Sequence, residues 1–342
     1  MKISRRRFLE LAAAAAALPA VSRFAWAQTY PTRPIIMIVP YPAGGGADAT
    51  GRIIAERMRA SLGQPVVIEN VTGAGGSIGV GRVARAANDG YTFTLGNWDT
   101  FVANGVAYAL PYNLLTDFEP IAPVAVQPSL IVAKKTMPAD DLKGLIAWLK
   151  ANPDRASAGT NGVGSRQHVA AIYFQSKTGT RFGFVPYRGG APALQDLMAG
   201  QIDLIFASAS DAVAPVRGGS IKAYAVMAKN RIAAAPDIPT VDEAETPGVY
   251  FSGWLGFWAP ARTPKEITAK LNAAAIKALA DSAVRAQLAA IGEEIFPPDQ
   301  QTPEVLGAFQ KAEIEKWVAH SQGGERQGRV ISGPLSHSKG AS

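Results

Sequence analysis

The 342-residue chain contains no cysteine and only three histidines, His168, His320 and His337. The first absence rules out a disulfide framework, a thiolate metal site, a cysteine nucleophile and a lipid-anchored cysteine. The second leaves no imidazole cluster to hold a metal. No Gly-Lys pair occurs, which removes the phosphate loop of nucleotide hydrolases. The apolar stretch from Leu11 to Leu18 falls short of the about 20 apolar residues that a bilayer span needs. Net positive charge is also scarce in the body. Of the formal +7, much sits at the two ends: Lys2, Arg5, Arg6, Arg7 and Arg23 face Glu10 alone, and Arg326, Arg329 and Lys339 face Glu325 alone. What lies between is close to neutral and has no basic patch interleaved with aromatics, which argues against nucleic acid as a partner.

What is present suits a packed, exported protein. An apolar content of 48% over this length supports two domains of ordinary size. The first 27 residues have a basic start, a short apolar stretch and the small-x-small site Ala25, Trp26, Ala27, the layout of a cleaved export signal. Within it, Ser4 to Leu9 (SRRRFL) resembles a twin-arginine signal, with Glu10 where a lysine is usual; a general secretory signal with a basic start fits the same residues. Either way the mature chain is expected to begin near Gln28, in the periplasm.

From Ile35 the sequence repeats strand, glycine-rich turn, helix. IIMIVP is a short apolar run, and the following ATGRIIAERMRASLG places Ile53, Ile54, Met58 and Leu62 at helical spacing before Gly63. PVVIEN and YTFTLGN read as the next strands, so a parallel sheet covered on both faces is expected. From Asp117 to Lys135 an extended, proline-punctuated passage with two β-rich pieces suits a crossing into a second domain. A second strand and helix series follows, and the aromatic stretch VYFSGWLGFWAP reads as the return. The result is an α/β protein of two lobes joined by two strands. The expected boundaries are 28–125 with 251–317 for one lobe and 126–250 for the other, and residues 318–342, polar and without pattern, are expected to be disordered.

Four glycine turns fall at strand ends: YPAGGGAD, TGAGGSIG, GTNGVGS and PYRGGAPA. Glycine lets main-chain N–H groups approach a ligand closely. A helix starting after such a turn adds free donors and the positive end of its dipole, a combination that favours a carboxylate or other small anion. The first turn is read in this way as a cup for one end of an acid, with Asp48 capping its own helix. Trp98, in GNWD, stands beside the expected pocket, either stacking on an aromatic ligand or filling the core.

PYPAGGGAD with Arg52, ENVTGAGGSIG, NDGYTFTLGN, LPYNLLTDFEPIAPVA, VPYRGGAPALQDLMAGQIDLIF, and APDIPTVDEAETPG leading to WLGFWAPARTP occur in this order from about Pro31 to Trp317. Together they closely resemble the Bug-type receptors, the periplasmic solute-binding proteins of the tripartite tricarboxylate transporter family. The resemblance implies a type II, Venus flytrap fold that captures a small carboxylate as a monomer, uses no cofactor or metal, and hands its ligand to membrane permease subunits. It also implies a ligand site. In the first lobe this comprises Tyr41, Pro42, Ala43, Gly44, Gly45, Ala47, Asp48, Gly75, Gly76, Ser77 and Asn97. In the second it comprises Thr160, Asn161, Gly162, Gly164, Ser165, His168, Tyr187, Arg188, Gly189 and Asp211. The tail is a departure, because the family usually ends soon after the helix that carries Trp317.

One rival reading is a secreted esterase. Gly75 to Gly79 fits GxSxG with Ser77 as the nucleophile, but the preceding strand ends too early for an elbow, and His168 belongs to the other lobe. A dinucleotide fingerprint fails at Ile78, where its last glycine should stand. The acidic pairs Glu293–Glu294 and Asp242–Glu243 read as solvated surface charge.

Overall fold

The computed structural model describes residues 30–325. The export signal expected over residues 1–27 and residues 326–342 of the expected tail lie outside the described residues. Residues 30–32 belong to the leading segment and contain no helix or strand; the body begins at Arg33.

The first half opens with β1 (Ile35–Val39), a run of apolar residues that is buried almost throughout. It leads through the first glycine turn into α1 (Gly46–Leu62), which stops where Gly63 takes a left-handed φ of 70° and closes its N–H on Arg59 O. β2 (Val66–Asn70), α2 (Ser77–Ala84) and β3 (Thr92–Asn97) repeat the unit, and β1 pairs in parallel with both of its neighbours. A π-helical turn, Asp99–Ala103, and the short α3 (Asn104–Ala107) then lead to β4 (Phe118–Lys134).

β4 joins the halves. The passage read as two β-rich pieces is one strand of 17 residues. Its prolines are tolerated because the register against β9 shifts between Pro120 and Ala122 and again between Pro123 and Ala125, where ladder bonds are interrupted. Residues 118–128 pair with β9 (Ser252–Pro260), and residues 129–134 pair with strands of the second half. That half comprises α4 (Leu142–Ala151), β5 (Ser157–Thr160), α5 (Arg166–Thr178), β6 (Gly183–Pro186), α6 (Gly190–Met198), β7 (Leu204–Ser208), α7 (Ala209–Arg217) and β8 (Ile221–Val226). After β9 the chain completes the first half with α8 (Lys265–Ala280), α9 (Ser282–Ala290), β10 (Glu294–Ile295) and α10 (Pro303–Glu325).

The strand order is β2-β1-β3-β9-β4-β7-β5-β6, with β8 and β10 also paired to β4. The expected parallel sheet is therefore mixed. β1, β2 and β3 are parallel, as are β5, β6 and β7, whereas every pairing made by β4 or β9 is antiparallel. Within each half the parallel strands run the same way, but three antiparallel pairings separate β3 from β7, so the two sets point at each other. Their C-terminal ends, at Asn97 and Ser208, meet near the middle of β4; ligands of open α/β sheets bind at such carboxyl ends. The tail expectation also needs correction. α10 continues to Glu325, so residues 318–325 are helical. Among the described residues no helix is long and apolar enough to cross a membrane.

Large aromatic side chains fix the first half onto the junction. Phe101 and Trp258 stack with ring centroids 3.8 Å apart, and the edge of Phe118 meets Phe101 at 5.1 Å. Gly96 makes room for this stack, since a Cβ there would lie 2.2 Å from the Phe101 ring. Trp258 is fully buried and donates its indole N–H to Gln310 Oε1 at 3.1 Å, which ties β9 to α10. Trp98 is likewise a core residue, with its ring edge on Phe251, and does not line the cleft. Replacing Trp258 with alanine leaves a large void and an unpaired Gln310 oxygen, so the expected loss of stability is on the order of 3–5 kcal/mol. The shift of the urea unfolding midpoint measures it.

Candidate functional site

The turn after β1 is held by a small polar network. Tyr41 is buried and donates its hydroxyl to Asn97 Oδ1 at 3.0 Å; burial, together with the nearby Asp99 charge, raises its pKa, so it remains a proton donor. Asn97 Oδ1 also accepts from the N–H and hydroxyl of Thr100, both at 3.0 Å. With its oxygen engaged three times, the side-chain nitrogen of Asn97 is left as a donor for the cavity.

Asp48 takes another role than the one expected. The N-cap of α1 is Gly45, and Asp48 lies inside the first turn. Its carboxylate reaches back to Gly44 N–H (2.9 Å) and accepts from Arg52 Nε (2.9 Å) and Asn70 Nδ2 (3.0 Å). Burial pushes this carboxyl up, but the bonds from Arg52, Gly44 and Asn70 outweigh it and hold the pKa below the usual value. Asp48 thus shapes the turn from behind and does not line the cavity.

Between the halves, at the strand ends, lies a cavity of about 30 Å³. Of the residues expected to bind ligand, Tyr41, Pro42, Gly45, Ala47, Asn97, Asn161 and Asp211 line it. Gly46, Asp99, Gln127, Arg166, Gly190, Ala191 and Ser208 line it as well, and sequence reasoning missed them. A larger open groove of about 800 Å³ runs between α1 and α9 and shares no lining residue with this cavity.

The remaining expected residues are not brought to the cavity. Ala43 and Gly44 form the exposed crest of the first turn. In the second turn Gly75 O accepts from Asn104 and Ser77 O accepts from Tyr112. Thr160, Gly162, Gly164 and Ser165 build the turn and cap of α5: Ser165 Oγ accepts from His168 N–H, and Gly164 N–H donates to His168 Nδ1 at 3.0 Å. That bond leaves the ring proton on Nε2, and burial lowers the imidazole pKa, so His168 is neutral, with its edge on Phe184. Tyr187 donates to Asp196 at 2.6 Å, Gly189 packs on Pro42, and Arg188 is exposed. Among the described residues Ser77 has no hydrogen bond to a histidine, and no cluster of three or more His, Cys, Asp or Glu is placed to hold a metal.

Arg166 is the cation of the cavity. It is the first residue of α5, 4% exposed, and donates Nη1 to Gln127 O at 2.9 Å. Its side chain runs across β9 at Gly253, where a Cβ would lie 2.6 Å from Arg166 Cδ. Among the described residues it forms no ion pair. A signal for it existed in the sequence: a cation at the first position of a helix opposes the macrodipole and needs some other reason to be there. Arg166 N–H donates to Asp99 Oδ1 at 2.9 Å. Burial pushes the Asp99 carboxyl up to about 6, against the pull of the Arg166 charge and N–H.

Behind the cavity sits Glu293. The expectation of a solvated pair is wrong for this residue, which is 4% exposed, while Glu294, Asp242 and Glu243 are exposed as expected. Glu293 Oε1 accepts from Gln127 Nε2 at 2.7 Å and from the Thr50 hydroxyl at 3.3 Å; Oε2 is buried without a partner. Burial pushes this carboxyl up to about 7, more than the bond from Gln127 and the Arg166 charge pull it down.

The geometry defines a class: an α/β protein of two halves joined by shared strands, with a polar, helix-tipped cavity between them, as in solute-binding receptors. The model of the tripartite tricarboxylate transporter family receptor matches residues 50–320, and the chain belongs to that family. It is 36% identical to the solved periplasmic binding protein BugD, covering 86% of this chain and 98% of that one, with a TM-score of 0.81. MatC from Rhodopseudomonas palustris, solved with bound malate, is also 36% identical over 84% of this chain and 98% of its own, with a TM-score of 0.80. Protein BugT of Bordetella pertussis is 35% identical over 294 residues, 85% of this chain and 89% of that protein.

Asp99 and Glu293 both hold protons in the native state at a pH where unfolded carboxyls have released them. A raised folded pKa means stability rises as pH falls through the window from about 7 to the ordinary carboxylate range. Glu293→Gln keeps the Oε1 acceptor and removes the buried charge. It is expected to stabilise the protein at about pH 7.5 by on the order of 3 kcal/mol and to flatten the gain that wild type shows on acidification. Urea unfolding of both proteins across that range checks it.

Proposed function

We propose that the chain is an exported receptor that captures a small carboxylate between its two halves and delivers it, unaltered, to membrane permease subunits of a tripartite transporter. In this account residues 1–27 are the export signal and the mature protein works in the periplasm as a monomer. Residues 28–125 with 251–317 form one lobe, residues 126–250 form the other, and closure bends the chain near residues 125 and 250. No covalent step is needed.

The observation that carries this reading is Arg166. A guanidinium buried in a cavity without an ion pair is costly unless an anion joins it. Beside it α1 begins, and the N–H of Ala47, in the first turn, has no intrahelical acceptor. The Asn97 amide nitrogen adds a third donor. A carboxylate in that space meets a cation, a helix start and an amide, each from a different element. The relatives with malate and with adipate fit this, both ligands being dicarboxylates; the adipate complex is an R. palustris protein 31% identical over 86% of this chain. The Ser77 esterase reading gains no support among the described residues, where no histidine is hydrogen-bonded to Ser77.

The expected outcome for Arg166→Met is a loss of affinity on the order of 100-fold for any dicarboxylate that wild type binds. Arg188→Ala and Ser77→Ala leave affinity unchanged. Isothermal titration of the three variants with malate, succinate and adipate provides the check, and an unaltered affinity in Arg166→Met contradicts the assignment.

A further inference from the structure

Two of the side chains lining the cavity are acids, an odd provision in a site for an anion. Each already sits on a helix start supplied by the opposite half. Asp211, in the first turn of α7, accepts from the N–H of Gly46, the first residue of α1, at 2.6 Å; its other oxygen accepts from the Ser208 hydroxyl at 2.8 Å. Asp99 does the same at the start of α5 through Arg166 N–H. The seam around Asp211 is tight. A Cβ on Gly46 would lie 2.3 Å from Ser210 Oγ, and one on Gly190 would lie 2.6 Å from Asp211 Oδ2. The cavity of about 30 Å³ is far below the roughly 300 Å³ at which ligand pockets begin.

We propose that Asp211 is the receptor's own competitor for the anion position at the start of α1. Its carboxylate holds Gly46 N–H until a ligand carboxylate displaces it, and this sets a threshold that selects among acids. The inference rests on the assignment of that position to a ligand carboxylate. Two carboxylates cannot share one buried N–H, because like charges at contact distance repel strongly. The ligand must therefore gain more than Asp211 gives up. The source of that gain is Arg166, whose buried guanidinium opens onto the same cavity and makes no ion pair with Asp211 or with any other described residue. Asn161 Oδ1, buried there without a partner, adds an acceptor for a ligand hydroxyl. An acid long enough to reach both Gly46 and Arg166 displaces Asp211. A short monocarboxylate such as acetate reaches one of them and does not.

The test titrates acetate, succinate, malate and adipate into wild type and Asp211→Ala by calorimetry. Removing the competitor is expected to tighten dicarboxylate binding about tenfold, the worth of one charge-assisted hydrogen bond, and to let acetate bind measurably. Unchanged affinity overturns the proposal. Weaker binding also overturns it, since Asp211 would then be a direct ligand contact, while the carboxylate assignment stands. Absence of binding by every acid to both proteins overturns the proposal and the assignment together. A second readout needs no ligand: the Gly46 amide proton, resolved by NMR in the labelled protein, is expected downfield in wild type and to move upfield in Asp211→Ala. An amide shift that ignores the substitution overturns the proposal whatever the titrations give.

Discussion

A charge taken out of water has to be matched, and the cleft of this receptor is arranged around one charge that has no ion pair among the described residues. Arg166 is held by its own main chain against Asp99, by Gln127 O, and by the space that Gly253 leaves on β9. These contacts fix where the guanidinium points, and although Asp99 and Glu293 feel its charge, no described carboxylate lies within ion-pair distance of it. Its position at a helix start raises the cost further, because the dipole there favours negative charge. The same electrostatics makes a carboxylate between Arg166 and the start of α1 favourable, so the cost of holding the cation is recovered on binding.

The fold supplies the precision this requires. β4 belongs to both halves, and the residues at its middle, Gln127 to Ser129, are where the pairing changes from β9 to β7. Gln127 lies at that point and touches the site from two sides, with its carbonyl on Arg166 and its amide on Glu293. Glu293 in turn accepts from Thr50 of α1. A movement of one half against the other therefore disturbs a connected set of buried polar groups, and such sets tend to have a few discrete arrangements. The bonds from Gly46 of α1 to Asp211 and from Arg166 of α5 to Asp99 belong to this set, each spanning the cleft.

Much of this was legible in the sequence. The repeat of strand, glycine turn and helix gave the α/β class and the strand ends at which the cavity lies, because glycine after an apolar run is a local signal. The block order from PYPAGGGAD onward gave the family. Tyr41, Pro42, Gly45 and Ala47 of the first turn, and Asn97, were named from the same local signal, and the fold brings them to the cavity. What was missed depends on long-range packing. Ser165 and His168 look like polar ligands, yet Ser165 Oγ caps α5 by accepting from the His168 main-chain N–H, and the His168 ring accepts from Gly164 N–H; Arg188 stands in a glycine turn but is exposed. Glu293, beside another acid and a glycine, gives no hint of burial, which only the arrival of Gln127 and Thr50 from distant elements creates. Arg166 was the recoverable miss, since a cation at the first helical position is a local anomaly.

The most direct measurement is a crystal structure of the mature protein grown with a dicarboxylate that it binds. The account predicts one ligand carboxylate within hydrogen-bond distance of the Arg166 guanidinium and of the N–H groups that open α1, with both halves touching the ligand. A ligand carboxylate seated instead on Arg188 or on the groove between α1 and α9, with Arg166 still buried behind Gln127 and without an ion pair, would contradict it.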